Sequence, residues 1–183
     1  AVYPDLPEAC RSIIGIDQGA EVGSLAYSAV DSTYGALVLF SLALAAGAGA
    51  IAGEERKGTI GLLLANPRSR TQVLLAKTGA LVTLSVVGVA ILWAGGLIVP
   101  ELLGVDIAGQ NVGALMLHLL AGALFFGFLA LALGSWTGNS GLAVAVSAGL
   151  MVLSFFAVGF LPLFEGIADL AKIFPWYYFN GSD

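Results

Sequence analysis

The chain has 183 residues, of which 58% are hydrophobic and 10% charged, with a formal net charge of −5 and a mean hydropathy of +0.95. Soluble domains run about 45–50% apolar and about 25% charged, so this chain has too few charges to coat a water-soluble globule and reads as an integral membrane protein. The charges are also segregated: five of the seven Lys and Arg residues lie between Arg56 and Lys77, while nine of the twelve carboxylates lie in 1–31, 100–111 or 164–169. That pattern excludes a basic face for nucleic acid, and the single Cys10 cannot form an internal disulfide.

In chain order, residues 1–31 form an acidic external segment. Four apolar stretches follow, each long enough for a bilayer, which needs about 20 residues at 1.5 Å rise: Tyr34–Ala52, Gln72–Ile98, Val112–Gly134 and Gly141–Phe164. Asp31 and Ser32 precede the first, Asn111 the third, and Asn139 with Ser140 the fourth, all residues that favour helix starts. Ser69-x-x-Gln72 has the form of a capping box ahead of the second span. Pro100 and Gly104 are expected to close that span, and Gln72–Lys77 reads as a cytoplasmic or interfacial turn with Lys77 snorkelling. Outer-membrane strands would need alternating segments of about 10 residues, which the sequence lacks. The expectation is a single all-α, polytopic transmembrane domain over 1–183.

The loop 53–70 holds Arg56, Lys57, Arg68 and Arg70, whereas 100–111 carries Glu101 and Asp106 and no base. The positive-inside rule then places the 53–70 loop in the cytoplasm. The N-terminal segment, the Pro100 loop and residues 165–183 fall outside. Phe174–Phe179 reads as an aromatic belt at the membrane surface. A chain that starts outside with Ala1 is expected to have either a cleaved signal peptide or an earlier transmembrane helix upstream.

Several chemistries find no support. There is no G-x-x-x-x-G-K-[ST] to cradle ATP phosphates, and no CxxC, paired His or H-E-x-x-H for a metal. The first, third and fourth spans contain no Asp, Glu, Lys or Arg, which weakens a proton-coupled pump. His118, about two turns into the third span, is the one ionisable candidate there. It can be a relay, a ligand contact or an imidazole bonded to a neighbouring helix. Ser135 lies about 25 Å from it along the same helix, too far for a hydrolytic pair. Small residues at Gly49/Gly53, Ala90/Ala94 and Ala123/Gly127 are spaced for close helix packing.

The loop 53–70 is the most informative stretch. Glu54 and Glu55 suit a helix N-terminus, and Pro67 stops helical geometry at Asn66. On one helix Glu55, Thr59, Leu62 and Leu63 share a face. A short amphipathic helix across the ends of two membrane helices either rests on lipid or docks a cytoplasmic partner.

The run Glu55-Arg-Lys-Gly58-Thr59, continuing through Leu62-Leu63, Pro67 and Ser69-Arg70 to Lys77, resembles the loop of ABC-2 type transporter permeases. Gly61 and the Arg56-Lys57 insertion depart from that pattern. Tyr3-Pro4-x-Leu6-Pro7-Glu8, Leu131-Ala-Leu-Gly134-Ser-Trp-Thr-Gly138 and Leu163-Phe-Glu165 through Phe179 extend the likeness over nearly the whole chain. The resemblance implies helices two to five of the usual six, with a re-entrant outer segment before the sixth. It implies a permease half in the cell membrane, with export as its direction, paired with a second permease copy or paralogue and with ATP-binding cassette subunits. This chain would be no enzyme and bind no cofactor or metal; ATP and Mg would sit on the partner. Glu54, Glu55, Arg56, Thr59, Leu62 and Leu63 would contact the ATPase, with Ser135, Trp136 and Thr137 as a second, smaller contact. Two other classes stay open: a membrane scaffold or immunity-type subunit that moves nothing, and a secondary transporter or channel. The Leu-, Val-, Ala-, Gly- and Phe-rich spans suit a hydrophobic or lipid-like cargo.

Overall fold

The computed structural model describes residues 33–58, 61, 69–103, 111–164 and 166–180, and among them every regular element is helical. In order they are α1 (Ala36–Ala50), α2 (Ala52–Arg56), α3 (Arg70–Leu103), α4 (Val112–Thr137), α5 (Ser140–Phe160), 3-10 turns at Leu161–Leu163 and Ala168–Ile173, and α6 (Pro175–Asn180). α1, α3, α4 and α5 are long and apolar enough to cross a membrane. The chain is thus an all-α membrane protein, as the composition requires.

The expected start signals form where they can be seen. Asn111 Oδ1 accepts from the Ala114 N–H at 3.1 Å, and Asn139 Oδ1 from the Leu142 N–H at 3.1 Å. Ser69 Oγ accepts from the Gln72 N–H at 3.2 Å while Gln72 Oε1 accepts from the Ser69 N–H at 3.1 Å, a complete capping box. Asp31 and Ser32 lie outside the described residues.

α3 corrects two expectations. Gln72–Lys77 is continuous helix, and the helix carries on past Pro100 to Leu103. Proline lacks an N–H and crowds the carbonyl four residues back, but here one turn remains beyond it, so little of the ladder is lost. At 34 residues α3 is about 51 Å long, against a hydrocarbon core of about 30 Å, so it must tilt or protrude.

α1 lies at the centre, packed along α4. Its buried residues Ala36, Leu39, Phe40, Ala43, Leu44, Gly47 and Ala48 recur at helical spacing. The backbones approach most closely at Gly47, where an added Cβ would stand 2.1 Å from the Gly127 carbonyl oxygen. Gly134 similarly faces the Ala48 carbonyl oxygen. Between helices in lipid, close packing of this kind replaces the hydrophobic drive available in water. Ala123 and Gly127 therefore act as a packing pair, whereas Gly49 is open and Ala90 and Ala94 are exposed.

The C-terminal aromatic segment turns back onto the bundle. Trp176 and Phe179 are 2% and 7% exposed and meet Phe40 edge-on, with ring centroids 5.4 Å away in each case. The Trp176 N–H donates to the buried Ser154 Oγ at 2.9 Å, pinning α6 to α5. A surface belt would leave these rings at the interface; Trp176 and Phe179 are instead core, and Tyr178 faces outward.

Candidate functional site

One end of the bundle gathers the two stretches that the sequence singles out. α1 stops at Ala50, Ile51 breaks the helix, and α2 restarts with Glu54 and Glu55 in its first turn and Arg56 in its last. Both placements suit the helix dipole. Ala52 and Gly53 are buried beneath. The Glu54 carboxylate reaches Lys77 of α3 at 3.0 Å, each side chain being about a quarter exposed. Lys77 therefore ties α2 to α3 instead of reaching alone for the interface.

α2 is shorter than the sequence suggests. The Lys57 N–H donates to the Gly53 carbonyl at 3.1 Å and the Gly58 N–H to the Glu55 carbonyl at 3.0 Å. Gly58 then takes φ +69°, a left-handed geometry that ends a helix and suits glycine. The expected single helix over 53–66 is thus interrupted at Gly58, and Gly61 beyond it is again helical. Thr59, Leu62 and Leu63 lie outside the described residues.

The α4–α5 turn sits beside α2. Gly138 closes α4 at φ +63°, its N–H donating to the Gly134 carbonyl at 2.9 Å. A Cβ on Gly138 would stand 2.7 Å from Glu55 Oε2, so the Glu55 carboxylate rests directly over this glycine. Ser135 and Thr137 turn their hydroxyls back onto the Leu131 and Leu133 carbonyls of α4. Thr137 Oγ1 also accepts from the Asn139 N–H at 3.2 Å. Trp136 projects away, 84% exposed. α2 therefore lies beside the α4–α5 turn with Glu55 over Gly138, and within 135–137 the indole is what protrudes.

A family model described as an ABC-2 family transporter protein matches residues 8–174. The chain belongs to the ABC-2 transporter family. No curated protein and no solved structure matches it. As an ABC-2 family protein the chain is a membrane subunit that is not itself catalytic, in a family whose permeases work with an ATP-binding cassette partner.

His118 lies elsewhere, toward the opposite end of α4. Its Nδ1 meets the Ala114 carbonyl of its own helix at 2.8 Å, so that nitrogen is engaged by the preceding turn. Sequence reasoning missed the Glu54–Lys77 pair, the Glu55–Gly138 contact and the aromatic cluster around Phe40. A charged Lys near the start of a span was the one available signal, since such a residue needs either water or a partner.

Proposed function

We propose that this chain is the permease subunit of an ATP-driven transporter in the cell membrane, working as an exporter by alternating access. In this reading the end formed by α2 and the α4–α5 turn faces the cytoplasm and seats a separate ATP-binding subunit, while a second permease half completes the pathway. The observation that carries the reading is that α2 and the α4–α5 turn meet at one end of the bundle, with the Glu55 carboxylate over Gly138.

The mechanism follows from how α2 is fastened. A push on the 53–70 loop reaches α1 through the Ile51 junction, α3 through the Glu54–Lys77 pair, and α5 through Glu55 over Gly138. One docking event thereby loads three membrane helices at once. Trp136, exposed at the α4–α5 turn, supplies an apolar anchor of the type that dominates protein interfaces. Closure of the ATP-binding subunits would move these helices together and reopen the permease interface. ATP and Mg stay on the partner.

The test is Glu55→Lys combined with Leu62→Asp in vesicles prepared together with the ATP-binding subunit. Cargo movement should fall because that subunit no longer seats on the permease. Normal transport by a well-expressed double variant would refute the docking assignment.

A further inference from the structure

A cleft of about 660 Å³ opens between α4 and α6, at the end of α4 away from the docking loop, with α1 as its floor. That volume is in the range of small-molecule sites, about 300–1,000 Å³. Phe40, Phe125, Phe126 and Phe179 supply rings, and His118 and Tyr178 supply polar groups. Phe40 and Phe126 are 1% exposed and form a fixed base, whereas Phe125 and Tyr178 are 45% and 65% exposed and form open walls. No Asp, Glu, Lys or Arg lines the cleft among the described residues.

We infer that this cleft binds the polar end of an uncharged, hydroxyl-bearing lipid, such as a long-chain alcohol, whose hydroxyl donates a hydrogen bond to His118. The Ala114 carbonyl can only accept, so Nδ1 carries the proton in that 2.8 Å contact. In the neutral ring Nε2 is then an acceptor, and its complement is a donor on the ligand. A charged headgroup finds no counter-ion in the cleft and would lose its hydration without compensation. An all-apolar molecule would leave the imidazole nitrogen unmet. His118 stands six residues beyond Val112, about 9 Å along α4, within a helix long and apolar enough to cross a membrane. Binding of this kind requires no ATP-driven movement and stands apart from the docking end.

The experiment uses the full-length protein in phosphatidylcholine vesicles with two diazirine-bearing probes, a long-chain alcohol and the same chain ending in methyl. The alcohol should label α4 and α6 saturably, and unlabelled octadecanol should compete. His118→Phe should weaken alcohol labelling about ten-fold, the worth of one hydrogen bond near the upper end of the usual range, with little effect on the alkane. His118→Gln, which keeps an acceptor, should retain the preference for the alcohol. Ala121→Phe, which places a ring at an exposed lining position, should abolish saturable labelling by both probes. Three results would overturn the inference: labelling that never saturates in the wild type, equal labelling by the two probes, or equal competition by a long-chain trimethylammonium compound. All three are read on the wild type, so misfolding of a variant cannot decide the outcome.

Discussion

Replacing Gly47 with alanine tests the packing on which the whole bundle depends. The new Cβ would lie 2.1 Å from the Gly127 carbonyl oxygen, 3.1 Å from its carbon and 3.2 Å from the Leu131 nitrogen. All three are backbone atoms, so no side chain can rotate away. Restoring an ordinary contact of 3.4 Å from 2.1 Å requires α1 and α4 to part by about 1.3 Å. A gap of about 0.5–1 Å already forfeits a quarter to a half of the dispersion well between facing atoms. Overpacking typically costs about 1–3 kcal/mol; with rigid backbone on both sides, the upper end, about 3 kcal/mol, is expected. Gly49→Ala is the control, because its Cβ would meet nothing within 4 Å. It should be neutral or slightly stabilising through helix propensity. Thermal unfolding of the two variants in detergent, followed by fluorescence-detected size-exclusion chromatography, separates them. Equal stability of Gly47→Ala and Gly49→Ala would refute the α1–α4 contact.

Glu54→Gln or Lys77→Met should destabilise the junction by about 1 kcal/mol, the upper range for a part-exposed pair. The swapped pair Glu54→Lys with Lys77→Glu should recover part of that loss in a double-mutant cycle. Asn139→Ala removes the cap that holds the Leu142 N–H and should cost about 1 kcal/mol, read by accelerated hydrogen exchange confined to the first turn of α5. The Asp169 carboxyl is held below its ordinary 3.8 by a hydrogen bond from Lys172 and by the ammonium charge. With the folded value depressed, that contact contributes above 3.8 and is lost as pH falls through the lower folded value. Both groups are exposed, so the effect should be small and screened by salt. It should appear as a change in the Asp169 carboxyl resonance below about pH 4, absent in Lys172→Met.

The elements were largely legible because each span is long and apolar, and several are introduced by a residue that caps them, as Asn111, Asn139 and the Ser69–Gln72 pair demonstrate. Which face of a span turns inward was not legible. α1 is apolar on all sides, so its buried side is set by where Gly47 and Ala48 let another backbone approach, information that hydrophobic periodicity does not carry. The same limit hid the fate of Trp176 and Phe179, since an aromatic near the interface reads alike whether it faces lipid or Phe40. At the end formed by α2 and the α4–α5 turn, Glu54–Arg56 and Ser135–Thr137 could be named from the sequence, but the approach of Glu55 to Gly138 depends on the α1–α4 crossing. The break at Gly58 was missed because its charged and apolar neighbours match a helical face on either side, while the left-handed turn depends on a single glycine.

Seating of an ATP-binding subunit at the docking end is tested most directly by purifying the full-length protein from its native membrane in mild detergent, beside the Glu55→Lys, Leu62→Asp double variant and Gly49→Ala. An ATP-binding subunit should copurify with the wild type and with Gly49→Ala and be lost from the double variant. Its absence from the wild type, or its retention by the double variant, would contradict the docking role of this end.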